Sequence, residues 1–390
     1  MRIACLPAAL AAISFVVGCR EPTGEAARVG ASFAVSGPAA CPAPPSPSDT
    51  LASYVTVTDE ASLVAAVGSA KPFEVIALNG FFPVSADVVI TTPLVTLTCA
   101  TPGSGIFAPQ GSTVVFLLVV HAFGVTVDRL VLDGGNLGEG PYLAETDPTL
   151  NVVADGARLT NNTVSCGVGE CPFFVGTRDA FVADNAFKSA GSGTGLHMQS
   201  GIDGSQVLRN TIVATAPSTV FGFGGLRIRD GSNVVVADNI VKGPWSNSIA
   251  AANLFGSSVE NNRFEGAVVD GIRFSVGPPL MISNSFRNNQ ITGAGDAGVF
   301  VQWACSNTFL GNSIEGNGRS PSAIFDATTG ANVLVLVGAK NLVIDNGGGF
   351  DCNGDGVGDP NIIAGPGRVV RGVSVASPAD AAVGSSGRLQ

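Results

Sequence analysis

Val207-Leu208-Arg209-Asn210-Thr211-Ile212 is a short β-rich run that turns on an asparagine, and the asparagine phrase returns along the chain. Asn162-Thr163-Val164 and Asn185-Ala186-Phe187 precede it; Asn239-Ile240-Val241, Asn262-Arg263-Phe264, Asn289-Gln290-Ile291 and Asn312-Ser313-Ile314 follow. Successive asparagines stand 23, 25, 29, 23, 27 and 23 residues apart. A period in the twenties built from short alternating strands marks a solenoid, in which each repeat buries its apolar face on its neighbours. Leucine-rich repeats also carry an asparagine, but their fixed leucines are missing here and Val, Ile and Phe dominate. A propeller needs a period nearer about 40–50. The architecture left is all-β: a single-stranded, right-handed parallel β-helix. The asparagines read as structural, since a buried Asn at a tight turn bonds neighbouring backbone and stacks on the Asn of the next coil.

Those phrases, with Ser258-Val259-Glu260-Asn261-Asn262-Arg263-Phe264 and the strand Gly225-Leu226-Arg227-Ile228, resemble repeats of the pectin-lyase-like β-helix superfamily over residues 51–375. The resemblance implies the fold strongly and the chemistry hardly at all. That superfamily includes polysaccharide lyases, glycoside hydrolases, epimerases, phage tailspikes and non-catalytic periplasmic proteins, and a fold does not choose among them.

Outside the repeats the chain divides further. Residues 1–18 read as a signal peptide: Arg2, an apolar stretch from Leu6 to Val17, then Gly18-Cys19. The stretch is short of the roughly 20 residues a membrane span requires. Val16-Val17-Gly18-Cys19 resembles the bacterial lipobox, which makes Cys19 an acylated first residue and the membrane a partner. Residues 19–50, with Pro42, Pro44, Pro45 and Pro47, have the composition of a lipidated tether. Tyr54-Val55-Thr56-Val57, a helix opened by Asp59 with Leu63, Val64 and Val67 on one face, and Phe73–Leu78 look like the N-terminal cap of such solenoids, whose first edge would otherwise recruit other chains. Residues 376–390 read as a disordered tail. The expected location is the cell envelope, lipid-anchored at the outer membrane or cell surface, or else outside the cell; the expected state is a monomer.

The formal charge is −10 with 13% charged residues, which excludes the basic footprint of a nucleic-acid binder. Fifty-one glycines beside 45% hydrophobic residues suit many tight turns around a long core. Of eight cysteines, setting aside Cys5 and Cys19 leaves six, an even number that agrees with export. Cys166 and Cys171 suit a local bridge. The preferred pairing of the rest is Cys41 with Cys99 and Cys305 with Cys352, although sequence does not fix connectivity.

Aligning coils on a Gly-aliphatic start stacks Gly195-Leu196-His197-Met198-Gln199, Gly225-Leu226-Arg227-Ile228-Arg229, Ser248-Ile249-Ala250-Ala251-Ala252, Gly271-Ile272-Arg273-Phe274-Ser275 and Gly298-Val299-Phe300-Val301-Gln302. Alternation sends Leu196, Met198, Leu226, Ile228, Ile272 and Phe274 inward, and His197, Gln199, Arg227, Arg229, Arg273, Phe300 and Gln302 outward, in columns about 4.8 Å apart. Ala250 and Ala252 then form a low step between arginines, a shallow groove suited to an acidic glycan because guanidinium binds carboxylate bidentately. Gln199, Arg227, Arg229, Phe300 and Gln302 are the candidate binding residues. The bland alternative is a solvated face whose arginines offset Asp230 and Asp270.

A uronate lyase needs a base for the proton beside the carboxylate and a cation to neutralise that carboxylate. Arg273 or His197 is the candidate base and Arg227 the neutraliser. Asp270 and Asp296 precede strands on consecutive coils, so they form a candidate carboxylate pair of the kind retaining glycosidases use. The acidic strand-face cluster of calcium-dependent lyases and the Gly-His-Gly segment of galacturonan hydrolases are missing. Downstream, Asp351, Asn353, Asp355 and Asp359 place oxygens at calcium-loop spacing around Gly354-Asp355-Gly356. Ile362 stands where an EF-hand has its glutamate, so the expected Ca²⁺ is structural and modest in affinity. The sequence therefore supports an envelope β-helix that binds, and in its enzymatic version cleaves, an acidic polysaccharide. Its alternatives are a non-catalytic spacer or adhesion protein and, disfavoured by three methionines and two histidines, a metal-site maturation protein.

Overall fold

The computed structural model describes residues 40–43, 53–111, 114–135, 150–167, 170–189, 193–217, 224–274, 281–315, 321–326, 328–337, 341–347 and 350–371. The signal peptide, Cys19 and the 376–390 tail lie outside them.

Short strands dictate the architecture. Runs such as Gln206–Leu208, Val235–Ala237 and Ser258–Glu260 have one buried residue at the centre, and Phe181–Ala183 has two, so none can form a core alone. Each pairs in parallel with its equivalent one coil on: Val182 with Val207, Val207 with Val236, Val236 with Val259. The chain thus climbs as a parallel solenoid. Its strands run from Tyr54–Val57 to Arg368–Arg371. A second stack, including Ala186–Ser189, Thr211–Ala214 and Ile240–Lys242, follows the first around each coil. The two form one 22-stranded sheet, and a 15-stranded sheet closes the other side. Among the described residues no helix is long and apolar enough to span a membrane.

The interior is a file of stacked side chains. Phe274, Phe286 and Phe309 lie with ring centroids 5.0 Å apart for the first pair and 4.9 Å for the second. The glycines that open coils of the second sheet have a steric reason. A Cβ on Gly195 would meet Ile212 Cγ2 at 2.3 Å, and one on Gly271 would meet Ile291 Cγ2 at 2.2 Å.

At the turn between the two stacks, each repeated asparagine is buried and passes its bonds to the next coil. Asn210 N and Nδ2 donate to Asn239 Oδ1 at 2.8 and 3.0 Å, while its Nδ2 also donates to Val182 O at 2.9 Å. The same pattern joins Asn162, Asn185, Asn210, Asn239, Asn262, Asn289 and Asn312. The residue before each is left-handed, as a tight corner requires: Asn161, Asp184, Arg209, Asp238, Asn261, Asn288 and finally Gly311. A second ladder, not noticed in the sequence, runs through Ser257, Asn284, Asn307, Asn332 and Asn361 at the next corner.

The N-terminal helix spans Glu60–Ser69 and is capped by Asp59, whose Oδ1 accepts from Ser62 N at 2.8 Å. Leu63 and Val67 are buried against the first coils as expected. Val64 is not: it is half exposed, because one step around a helix turns it away from the i and i+4 face. Disulfides join Cys41 to Cys99, Cys166 to Cys171 and Cys305 to Cys352.

Candidate functional site

The second sheet carries the aligned coils. Leu196 pairs with Leu226, Leu226 with Ile249, Ile249 with Ile272 and Ile272 with Val299. The outward column is therefore Phe173, His197, Arg227, Ala250, Arg273, Phe300 and Ile324, one residue per coil.

What differs from expectation is exposure. An open groove, or a solvated face, would leave these side chains in water. Instead His197 is 3% exposed, Arg273 2% and Phe300 2%. Ala250 is buried as well, so the low step is no open floor. Only Gln199, Arg227, Arg229 and Ala252 remain partly exposed, while Gln302 is buried and gives its Nε2 hydrogen to Asp326 Oδ2 at 2.8 Å.

Closing charges away from water is unfavourable unless they are paired. The pairing comes from a neighbouring column three residues earlier: Glu170 before Phe173, Thr194 before His197, Gly224 before Arg227, Asn247 before Ala250 and Asp270 before Arg273. Asp270 Oδ2 accepts from Arg273 Nη1 at 2.7 Å, and Asp270 Oδ1 accepts from Ala297 N at 3.1 Å. Arg273 also stacks on Phe300, its Cζ 4.5 Å from the ring centroid. Burial pushes the Asp270 carboxyl up to about 6 despite Arg273, and the half-buried Asp296 pushes the same way. Arg273 and Asp270 thus hold each other, with both oxygens of Asp270 engaged.

His197 is held from the other side. Its Nδ1 lies 2.6 Å from Glu170 Oε1, both side chains are buried, and the ring packs on Phe173 with centroids 4.7 Å apart. Glu170 was missed in the sequence because it belongs to the Cys166–Cys171 loop, outside the aligned Gly-aliphatic segments. The signal was available: Glu170 stands at the same offset from Phe173 as Asp270 does from Arg273.

Several buried polar atoms of this face have no hydrogen-bond partner: His197 Nε2, Glu170 Oε2, Thr194 Oγ1, Asn247 Oδ1, Arg229 Nε and Gln302 Oε1. Buried polar groups are ordinarily satisfied, so this face has hydrogen-bonding capacity that its own side chains leave unused.

The downstream loop is organised around Asp351. Its Oδ1 accepts from Gly354 N at 2.7 Å and Asp355 N at 3.2 Å, and its Oδ2 from Gly356 N at 2.7 Å. These backbone bonds, that from Gly356 foremost, hold its carboxyl below the usual range. Asn353 and Asp355 cap Asp355 N and Val357 N, and Asp359 caps Cys352 N. The four residues share one loop, with much of their oxygen capacity already used by its own backbone.

The sequence model of a family described as a right-handed β-helix region matches residues 149–314. The chain is a right-handed parallel β-helix. No curated protein matches it in sequence. Among solved structures, this β-helix is similar to an alginate lyase from Paenibacillus sp., at 14% identity over 82% of this chain and 98% of the other, with TM-score 0.43. It is also similar to a DFA-IIIase from Arthrobacter chlorophenolicus, at 13% identity over 85% and 86% with TM-score 0.49. A mannuronan C-5 epimerase A-module from Azotobacter vinelandii shares 16% identity over 82% and 94%, with TM-score 0.42.

Proposed function

We propose that the outer face of the second sheet, around Gln199, Arg227, Arg229 and Ala252, binds an acidic glycan in the cell envelope. The observation that carries this reading is the set of unpartnered buried polar atoms beside two partly exposed arginines, on a chain whose formal charge is −10. Local cationic character against the global sign suits a carboxylate, and the unpartnered donors and acceptors suit sugar hydroxyls. Because His197, Arg273 and Phe300 are closed over, the ligand enters at the Arg227 and Arg229 coil instead of lying along the whole face.

The experiment is calorimetric titration of the purified chain with short oligomers of galacturonate, mannuronate and guluronate. Arg229→Ala should weaken binding by about 1.5–3 kcal/mol, the range for a hydrogen bond to a charged group. Affinity should fall as salt rises, since surface charges are screened beyond about 10 Å at 0.1 M. Equal affinity in Arg229→Ala and wild type would leave the spacer reading as the better account. The anchor belongs to the same proposal. An acylated Cys19 would keep the solenoid at a membrane surface, and Cys19→Ala should move it from the membrane fraction to the soluble fraction.

A further inference from the structure

We propose that the N-terminal coils rest on a lipid surface through an apolar ridge made by Phe73, Leu94 and Phe123. The choice of lipid rests on the anchor reading of Cys19; the contact itself goes beyond the glycan site.

The ridge lies at the corner that enters the strands Val75–Leu78, Thr96–Cys99 and Thr126–Asp128. Val75 pairs with Thr96 and Thr96 with Thr126, which stacks Phe73, Leu94 and Gly124 in one column. The backbone of this column is left-handed in coil after coil, continuing through Gly156, Asp179, Gly204, Asn233 and Gly256. Glycine, aspartate and asparagine enter that conformation readily, whereas a bulky apolar residue is strained there. Phe73 and Leu94 stand in it nonetheless, with φ of 69° and 60°. Burial does not offset the strain, since Phe73 is 61% exposed and Leu94 is partly exposed. Phe123, one residue before Gly124, is 59% exposed. Glycines make room for two of these side chains on the outside of the solenoid. A Cβ on Gly124 would meet Leu94 Cδ2 at 2.7 Å, and one on Gly156 would meet Phe123 Cε2 at 3.1 Å. Three consecutive coils thus hold large apolar groups in water, two of them where small polar residues would relieve strain. Strain kept without a packing role points to a use.

The lipid surface follows from the place where the tether joins the solenoid. Cys41 is bridged to Cys99, the last residue of the strand that the Leu94 corner opens. Cys19 stands about 20 residues before it, a reach of at most about 70 Å. Acyl chains on Cys19 would therefore hold these coils at the bilayer. A single acyl chain anchors marginally, and a second contact of apolar side chains at headgroup depth makes the attachment firm. Lys71, exposed two residues before Phe73, suits a lipid phosphate. With a formal charge of −10 the chain has no general attraction to an anionic surface, so the contact is apolar in origin.

The test places the exported chain on phosphatidylcholine vesicles whose acyl chains carry bromine, which quenches tryptophan fluorescence. Relative to wild type, the emission added by Phe123→Trp should be lost on these vesicles. Phe255→Trp is the control, because the exposed Phe255 precedes Gly256 as Phe123 precedes Gly124, about 24 Å farther along the stack. Its emission should be unchanged. The quenching should persist at high salt, unlike the screened charge pairs of the glycan site. Adding Phe73→Asn and Leu94→Asn to Phe123→Trp should abolish most of it. Phe73→Asn gives the corner the residue type that Asn233 already provides, so by itself it should melt no lower than wild type. A clear fall in its melting temperature would assign Phe73 to packing and overturn the ridge. Equal quenching at positions 123 and 255, or none at either, would also overturn it. So would a dimer in solution that Phe73→Asn converts to monomer, since a second copy would then be the occupant. Mass spectrometry of the exported chain reads the anchor separately. Acyl groups without quenching overturn the ridge and leave the anchor standing, whereas quenching without acyl groups supports the ridge and removes the anchor.

Discussion

At the corner between the two stacks, seven asparagines are buried with every amide group bonded from coil to coil; on the outer face of the second sheet, a mostly buried polar strip leaves six side-chain atoms without partners. Both strips are made by parallel register, which stacks like positions at every turn. In the first the stacked residues are identical, so each asparagine finds its complement in the next. In the second, Glu170, Thr194, Gly224, Asn247 and Asp270 stand in one column and Phe173, His197, Arg227, Ala250 and Arg273 in the other. These unlike neighbours leave unmade the bonds that stacked asparagines complete. A repeated polar residue thus builds the fold, and a changing one leaves valences for something else.

The comparison is broken most severely inside the ladder. Asn239→Ala removes the acceptor of Asn210 N and Nδ2 and the donor to Val207 O, which lies 2.8 Å from Asn239 Nδ2. Stranding these buried groups should cost about 3–5 kcal/mol in urea unfolding, at about 1–3 kcal/mol per unsatisfied group. A loss below about 1 kcal/mol would mean the ladder is decoration.

The outer strip should respond in a pH-dependent way. Burial raises the Asp270 carboxyl in the folded chain to about 6 from its ordinary value of 3.8. Its contribution to stability is therefore complete below the unfolded value and is lost as pH rises through about 6. Arg273→Met removes the partner that offsets ionisation. It should destabilise by about 3–5 kcal/mol at neutral pH, and by clearly less near pH 4, where the carboxyl is protonated. Unfolding curves at the two pH values check this, and an equal loss at both would separate Asp270 ionisation from the effect.

The smallest effect is expected in the Asp351 loop, which we propose takes a structural Ca²⁺. Its backbone is already tied by Asp351, Asn353, Asp355 and Asp359, so a cation adds to a loop that is partly set. Chelator should lower the melting temperature by a small, calcium-reversible amount, because a ligand bound only to the folded state stabilises it. The shift should vanish in the double variant Asp351→Ala, Asp355→Ala. Superimposable melting curves with and without chelator would remove the ion.

Register was legible in the sequence because it needs only the period and the alternation. Gly195, Gly225 and Gly271 marked coil starts, and the pairing of Leu196, Leu226, Ile249, Ile272 and Val299 follows from them. The asparagine ladder was legible for the same reason. Exposure was not. Alternation says which way His197 and Arg273 point, but whether that side meets water depends on the loops entering each strand, and loops carry no period. Glu170 was hidden by the same blindness, since it stands in the Cys166–Cys171 loop whose length breaks the alignment.

The disulfides give the solenoid an uneven response to tension. If the chain is drawn out from its two ends, the Cys41–Cys99 bridge withholds the 58 positions it spans and Cys305–Cys352 withholds 47. At about 3.3–3.6 Å per extended residue, the second bridge alone keeps back about 160 Å of contour. Coils inside these bridges therefore act as locked grips, and stretching falls on the coils outside them, the last coil and the polar strip included. A load that draws out the coils between the bridges would part His197 from Glu170, while each bridge limits the extension of its own segment.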